Sequence, residues 1–240
     1  MTPSGSSART SGERVAAAHL GATLRSVLVS PRAGFDAALR AADRKARGDA
    51  RLPEGASAYV LTACGGAALV LLWLKLSGLI GLRADSARHF EWWYLVAGCV
   101  LGAVLALIAQ VVWGFVAPRL MTRLGGSTTS RSMRLVWGAS AFPQVLALVL
   151  LLPCDLLIVG PESFTSQVPA DAVASVWAAL SVAMAFALAI WSVCLFIVGI
   201  EVAARVRVTR SVAAGAVATL CLALVVLAFR FGAVALANGG

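Results

Sequence analysis

Charged residues are scarce in this sequence, and acidic residues are the scarcest of them. Asp, Glu, Lys and Arg make up 13% of 240 residues, with 11 acidic and 20 basic side chains, whereas 60% of the residues are hydrophobic. A soluble domain is about 45–50% apolar. A chain of this size cannot bury such an excess in one core and keep a polar shell. The composition therefore excludes an ordinary soluble domain and predicts a membrane protein.

Residue types that carry catalysis or bind metals are also few. The two histidines, His19 and His89, are isolated, and the five cysteines lie inside apolar stretches without CxxC spacing. The sequence contains no HExxH, GxSxG or Walker A motif. The GGSTTS stretch from Gly125 to Ser130 lacks the Walker spacing and is typical of a polar turn. We therefore predict no enzyme activity, no catalytic or metal-binding residue and no cofactor.

Five long apolar stretches follow residue 55, and each is near the roughly 20 residues that cross a bilayer. Because hydrocarbon offers no hydrogen bonds to the backbone, each stretch must form a helix. The sequence thus predicts an all-α bundle of five transmembrane helices over residues 56–234. Their approximate bounds are Ala58–Leu82, Trp93–Val116, Leu135–Val159, Val173–Ile200 and Val212–Phe229.

The region before the apolar stretches divides into a tail and a basic segment. The composition of residues 1–12 predicts a disordered tail, and these residues lack the apolar core of a cleaved signal peptide. Residues 235–240 are predicted to form a short tail. Residues 13–55 predict cytoplasmic amphipathic helices. One begins at Pro31, with Phe35 on its apolar side and three arginines on the other: Arg40, Arg44 and Arg47. This helix either lies on an anionic leaflet or packs against the protein's own cytoplasmic face.

Basic residues alternate between the predicted loops. The N-terminal region and the second and fourth loops contain several arginines, whereas the first loop has only Arg83 and Arg88, the third has none, and the tail has Arg230. Lys and Arg collect in cytoplasmic loops, so the alternation predicts a cytoplasmic N-terminus and an external C-terminus. It also explains the net charge of +9 without nucleic acid. We expect contacts with the lipid bilayer and its anionic headgroups.

Polar and helix-breaking residues within the apolar stretches form the candidate site, because such residues are costly in a membrane. Lys75 and Asp155 lie near the outer ends of two stretches that run in the same direction, which predicts an ion pair; alternatively, Lys75 extends to the surface. Gln110 predicts an interhelical hydrogen bond. Pro143 and Pro153 predict an irregular third helix, either a hinge that lines a cavity or a static kink.

Two further patterns predict local contacts. Gly98 and Gly102 form a GxxxG motif, which allows close helix packing within one subunit or between subunits. Glu201 and Arg205 are four residues apart at the end of the fourth stretch and predict an i,i+4 ion pair. A surface for anionic lipid or an acidic partner is expected at the cytoplasmic end, on five arginines: Arg40, Arg44, Arg47, Arg119 and Arg123.

Several features recur in a characteristic order along the chain. Pro31 and Phe35 form a Pro-x-x-x-Phe element, Gly125 and Gly126 lie in the second cytoplasmic loop, the third stretch reads WGASAFPQVLALVLLLP, and a late stretch starts at Trp177. This order resembles the Yip family, the Ypt/Rab-interacting membrane proteins, in a bacterial version. The resemblance implies a five-helix fold, a cytoplasmic N-terminus and a role through protein or lipid partners, with no catalytic residue.

These observations predict a non-enzymatic protein of a bacterial inner membrane that acts through partners, by scaffolding, assembly or membrane organisation. A membrane-protein partner or a second copy of the chain would complete the assembly, and no nucleic acid is expected. The alternative is a small-solute or ion transporter or channel in which Lys75, Gln110 and Asp155 line a midplane site. A polar, water-accessible midplane would favour the alternative, whereas a tightly packed apolar midplane would favour the partner-binding role.

The predicted orientation has a direct test. A reporter fused before Met1 should be active only in the cytoplasm, and one fused after Gly240 only outside, because the basic loops stay inside. The measurement is the paired activity of alkaline phosphatase and a fluorescent protein at each end. An N-terminal reporter that is reached only from the exterior would contradict the orientation.

Overall fold

The structure is a computed structural model that describes residues 22, 24–46, 54–79, 92–164 and 171–220. Within these ranges all regular secondary structure is helical, and no strand occurs. The predicted all-α fold is therefore confirmed for this part of the chain. The predicted tails at residues 1–12 and 235–240 lie outside it.

The helices are labelled here in chain order. A short helical stretch over residues 24–29 comes first and is left without a label. It is followed by α1 (Pro31–Ala46), α2 (Glu54–Leu79) and α3 (Trp92–Arg123). A segmented helix follows, made of α4 (Ser130–Ser140), α5 (Phe142–Leu146), a π-helix (Ala147–Leu151) and α6 (Leu152–Ile158). A 3₁₀ turn (Gly160–Phe164), α7 (Ala172–Ala204) and α8, described over Val208–Leu220, complete the order.

Four segments are long and apolar enough to cross a membrane, which is typical of a multi-pass membrane protein. They are Ser57–Leu76, Leu95–Arg123, Ser130–Ile158 and Ala172–Ala204, with 20, 29, 29 and 33 residues. The fifth predicted helix, Val212–Phe229, is described only in its first part, within α8, and the remainder lies outside the described residues. The fifth crossing therefore stays a prediction.

Large apolar side chains cover the outside of the bundle. On α3 and α7 the exposed residues include Val100, Val104, Ile108, Leu180, Phe186 and Ile190. Water-soluble proteins rarely expose contiguous apolar surface of this extent, whereas hydrocarbon chains of lipid match it. The apolar exterior thus agrees with the composition and accounts for the excess of hydrophobic residues.

Glycine brings α2 and α3 into backbone contact. A Cβ atom added to Gly102 would lie 2.5 Å from the carbonyl oxygen of Gly66, and one added to Gly66 would collide with the carbonyl oxygen of Gly102. At Gly98 a Cβ atom would meet only side-chain atoms, the nearest being Val70 Cγ1 at 3.3 Å. The predicted GxxxG motif therefore packs two helices of one chain, and Gly102 is its tighter position.

The long segments alternate in direction. The first turns of α2 meet α4, where Ala58 lies against Gly138, and the last turns of α2 meet α6, where Lys75 lies against Asp155. Segments one and three are therefore parallel. The fourth is antiparallel to both, since Ser181 near its start contacts Lys75. This up-and-down order brings the C-terminal ends of the first and third segments to the same end of the bundle.

The third segment changes its winding twice. Ala141 separates α4 from α5, with φ −75° and ψ −9°, and Pro143 occupies the first turn of α5. The π-helix directly precedes Pro153, which lies in the first turn of α6. Proline lacks an N–H and its ring clashes with the carbonyl four residues earlier, so a wider turn before Pro153 relieves that conflict. The predicted irregularity is present, while a hinge motion stays a prediction.

The helix α1 packs across one end of the bundle. Phe35 is fully buried in a cluster with Met133, Val136 and Ile200. The apolar side of α1 is thus covered by the protein itself, which is one of the two arrangements that the sequence left open. Because that side is occupied, it is not available for insertion into a leaflet.

An ion pair reinforces the docking of α1 and corrects one prediction. Arg32 Nη2 donates to both carboxylate oxygens of Glu201, at 3.0 and 3.2 Å. The predicted partner of Glu201 was Arg205, and that prediction is wrong. Arg205 instead ends α7 with a left-handed backbone, φ 53°, which removes its side chain from the regular i,i+4 geometry.

The GGSTTS stretch forms a compact polar turn, as predicted. Gly125 has φ +78°, and the N–H of Gly126 donates to the carbonyl of Met121 at 2.9 Å, which closes the end of α3. Thr129 then caps α4 by accepting from the backbone N–H of Ser132 at 3.2 Å. The stretch serves to reverse the chain between two long segments.

The glycine contact predicts a difference between two neighbouring substitutions. Gly102→Ala should lower the unfolding temperature, since its methyl group would press on the α2 backbone; overpacking of this kind costs about 1–3 kcal/mol. The matched variant Gly98→Ala should change stability little, because Val70 can move. Thermal unfolding in mild detergent measures both. Equal effects at the two positions would contradict the proposed close approach.

Candidate functional site

The structure brings Lys75 and Asp155 together as the ion pair that the sequence predicted. Lys75 Nζ donates to Asp155 Oδ2 between α2 and α6. Lys75 is 8% exposed and Asp155 is 1% exposed. The alternative, in which Lys75 extends to the surface, is not what the structure shows. Since a bilayer strongly disfavours isolated charge, each residue supplies the countercharge that the other requires.

Two side chains of α7 complete the surroundings of the pair. Ser181 Oγ accepts from Lys75 Nζ at 2.9 Å, and Trp177 Nε1 donates to Asp155 Oδ1 at 3.1 Å. Each carboxylate oxygen thus receives one donor, and the ammonium group uses two of its three. Charge-assisted hydrogen bonds of this kind offset part of the desolvation cost. We call these four residues the polar clamp, because it joins the first, third and fourth segments.

The 3₁₀ turn between α6 and α7 covers one side of the polar clamp. Phe164 is 1% exposed, and its ring centroid lies 6.0 Å from Lys75 Nζ, within reach of a cation–π contact. Ser163 Oγ donates to the backbone carbonyl of Asp155 at 3.4 Å. This contact adds apolar surroundings to the pair, in which two charges attract each other more strongly than in water.

A small cavity lies beside the polar clamp, next to the π-helix. Its volume is about 20 Å³, which is room for a single water molecule. Lys75 lines it together with apolar side chains from α2, the π-helix, α6 and α7. The cavity is therefore far too small for an organic solute in this conformation.

Gln110 lies at a second polar contact, nearer the other end of the bundle. Its Nε2 atom donates to the backbone carbonyl of Arg134 at 2.9 Å, which is the interhelical hydrogen bond that the sequence predicted. Arg134 Nη1 in turn donates to the hydroxyl of Tyr59 at 3.0 Å. The structure does not bring Gln110 to Lys75 and Asp155, so these three residues do not form one site.

Sequence reasoning missed several members of these polar contacts. Trp177 and Ser181 are four residues apart and so share a face of α7, but Ser and Trp are too common in membrane helices for that spacing to stand out. Gln144 was also missed, although it follows Pro143 directly and is only 3% exposed. The signal that would have found it is an amide side chain at a helix break.

The predicted arginine surface lies partly within the described residues. Arg40 is exposed and pairs with Asp36, Arg119 is exposed and donates to the carbonyl of Phe115 at 2.8 Å, and Arg123 is exposed. Arg44 lies in α1, but its side chain is outside the described part of the chain, as is the whole of Arg47.

Further arginines lie at the same end, which we call the basic end. It comprises α1, the start of α2, the α3–α4 turn and the α7–α8 turn. Among the described residues, four exposed arginines here have neither a hydrogen bond nor an ion pair through their side chains: Arg123, Arg131, Arg205 and Arg207. The two described acidic side chains of this end, Asp36 and Glu201, already pair with Arg40 and Arg32. Within the described part of the chain, the basic end thus carries positive charge that no acidic side chain pairs with.

Metal-ligand groups, disulfide bonds and similarity to known proteins would indicate other chemistry. The described residues contain no group of three or more His, Cys, Asp or Glu side chains that could hold a metal ion. Their cysteines, Cys64, Cys99, Cys154 and Cys194, are free. No family model, curated protein or solved structure matches the chain.

The polar clamp predicts strong coupling between its charged residues. Lys75→Met or Asp155→Asn should each destabilise the protein by about 3–5 kcal/mol, because each leaves an uncompensated buried charge. The exchange Lys75→Asp with Asp155→Lys should restore part of the loss. Unfolding in detergent or lipid discs measures the four proteins.

The exposed Asp36–Arg40 pair offers a matched control, since pairs in water contribute little. Asp36→Asn should leave the unfolding temperature nearly unchanged. If both single changes in the polar clamp were as silent as this control, the ion pair would have no structural role.

Proposed function

We propose that this chain is a five-helix protein of a bacterial inner membrane that acts through partners, as a scaffold or an organiser of the membrane. In this proposal the basic end faces the cytoplasm and contacts anionic lipid headgroups or an acidic protein. The resemblance to the Yip family supports the same role. The single observation that carries the proposal is the group of exposed, unpartnered arginines at the basic end.

The arrangement of charge favours a contact surface over a structural role for these arginines. Arg123 and Arg131 flank the α3–α4 turn, and Arg205 and Arg207 lie in the α7–α8 turn. The two turns touch, since the N–H of Ser127 donates to the carbonyl of Ala204 at 3.3 Å. Four positive side chains thus border one corner of the bundle. Such a group attracts anionic headgroups by about 1 kcal/mol per charge near a membrane surface.

The buried face of α1 indicates which side of this helix could contact a lipid or protein partner. Because Phe35 packs inside the bundle, α1 does not need lipid to cover its apolar side. Its polar side remains for contact, and Arg40 lies there together with Asp36. In the proposal, α1 extends the basic surface and presents it to partners, rather than anchoring the protein in the leaflet.

A transporter or channel is the second candidate, and one specific observation favours it. The polar clamp places a Lys–Asp pair beside a cavity and a π-helix, and buried intramembrane charge is a frequent feature of transport sites. The cavity volume of about 20 Å³ weighs against it, since transport would require the third segment to open. Stabilisation by a specific solute would support transport, whereas specific cross-linking of the N-terminal segment to one protein would support the scaffold.

The four arginines where the two turns meet predict selective binding of anionic lipid. The triple variant Arg123→Gln, Arg131→Gln and Arg207→Gln should weaken phosphatidylglycerol binding by on the order of tenfold to a hundredfold at low salt, as expected for three lost charge contacts. Added salt should weaken binding to the natural protein more than to the variant. Native mass spectrometry in neutral detergent, with phosphatidylcholine of the same chain length as a reference, measures the bound lipid.

A second triple variant removes the same number of charges from the predicted external side: Arg83→Gln, Arg88→Gln and Arg230→Gln. It should leave lipid binding unchanged. An equal loss in both variants would mean that net charge alone matters. No loss in either would refute a lipid contact at the basic end.

A further inference from the structure

Gln144 is a buried amide without hydrogen-bond partners for its side chain. It is 3% exposed, and neither Nε2 nor Oε1 has a partner among the described residues. It lies in α5, one residue after Pro143 and at the bend where α4 ends. Lipid cannot reach it, and would not hydrogen bond to it in any case.

Thr62 lies on the part of α2 that packs beside the same bend. It is 1% exposed, and its Oγ1 atom also has no partner within the described ranges. One turn before it, Ala58 lies against Gly138; three residues after it, Gly65 lies against Ala141. Thr62 is therefore held between two contacts that bracket the junction of α4 and α5.

The backbone of the bend is bonded locally. Pro143 has no N–H, and the carbonyl of Ala139 instead accepts from the N–H of Ala141. The N–H of Gln144 donates to the carbonyl of Ala141 at 3.0 Å. The Thr62 hydroxyl and both ends of the Gln144 amide are thus the groups near this junction that have no partner among the described residues.

Three unpaired side-chain atoms in an apolar interior are expensive. Each buried polar group without a partner costs about 1–3 kcal/mol, and buried polar groups in proteins are nearly always satisfied by protein or water. Non-helical backbone at membrane depth is similarly tolerated where it lines a hydrated space. The atoms at the bend therefore have the composition of a binding site: they offer both donors and acceptors.

We infer that the bend binds a small uncharged molecule that both donates and accepts hydrogen bonds, water being the smallest. The ligand is uncharged because neither the Gln144 amide nor the Thr62 hydroxyl carries a charge that would offset a buried ion. Along the third segment, Gln144 precedes Ala147 and Leu148, which line the cavity beneath the polar clamp. The site would thus lie about one turn before that cavity along the third segment. This inference does not depend on which partner the basic end binds.

Two near-isosteric substitutions test the site through the sign of their effect. If the polar atoms hold a ligand, Gln144→Met and Thr62→Val should each lower the unfolding temperature, because the ligand loses its partners. If the atoms are simply unpaired, the same changes remove a desolvation cost and should leave stability unchanged or raise it. Leu148→Met, a change of similar size on the same segment with no polar group, is the control and should have a small effect.

If Gln144→Met fails to fold, NMR of the glutamine side chains in the natural protein provides a second test. The chain contains three glutamines, Gln110, Gln144 and Gln167, so ¹⁵N-glutamine labelling gives three side-chain amide signals in NMR spectra. Gln167→Glu and Gln110→Glu identify the Gln144 signal by elimination. Transfer of magnetisation from water to that signal is expected if water occupies the bend.

Added solutes distinguish the two sources of such a ligand. If acetamide, urea or glycerol at low concentration raises the unfolding temperature of the natural protein but not of Thr62→Val, the ligand is a solute of that class. If none does and water transfer is seen, the ligand is water. Neutral or stabilising effects of both substitutions, or a Gln144 signal that shows neither water transfer nor a response to any solute, would overturn the inference.

Discussion

Hydrocarbon neither donates nor accepts hydrogen bonds, and most of this structure follows from that constraint. Lys75 and Asp155 are tolerated in an apolar segment only because they meet each other. Trp177 donates to the remaining carboxylate oxygen, and Ser181 accepts one more N–H of the ammonium group. These partners come from three different segments. The bundle therefore satisfies its most costly groups only when the first, third and fourth segments are assembled, which ties folding to the polar clamp.

Small residues determine how closely the segments approach, and thereby whether such contacts form. Gly66 and Gly102 let α2 and α3 touch through their backbones, and Gly138 admits Ala58. In a membrane, where apolar side chains gain little from leaving lipid, close packing of this kind contributes much of the association energy. The irregular third segment works differently: its two prolines cost backbone hydrogen bonds, and the bend and the π-helix accommodate them.

The two ends of the bundle differ in charge, and this difference is the reason for proposing a partner-binding surface rather than a transport site. Exposed arginines without acidic partners gather where the α3–α4 and α7–α8 turns meet, while Asp155 at the other end is buried and paired. A partner-binding surface requires only the exposed arginines. A transport site would require the buried Asp155 to become accessible to a solute. The compact packing around Lys75, with a cavity of about 20 Å³, makes the surface role the simpler account.

The sequence by itself determined the apolar segments, because about 20 hydrophobic residues can be accommodated in hydrocarbon only as a helix. It also predicted the Lys75–Asp155 pair, since helical rise and chain direction place both residues at one depth. The irregular third segment followed from Pro143 and Pro153 alone.

Only the tertiary structure decided which side chains complete these features. Trp177 and Ser181 become partners of the ion pair through the rotation of α7, which hydropathy does not encode. Glu201 contacts Arg32 because α1 docks on the bundle end, and local i,i+4 spacing gave no sign of it. Whether the side-chain amide of Gln144 finds hydrogen-bond partners depends on every neighbour at the bend. Such long-range packing cannot be predicted from a short stretch of sequence.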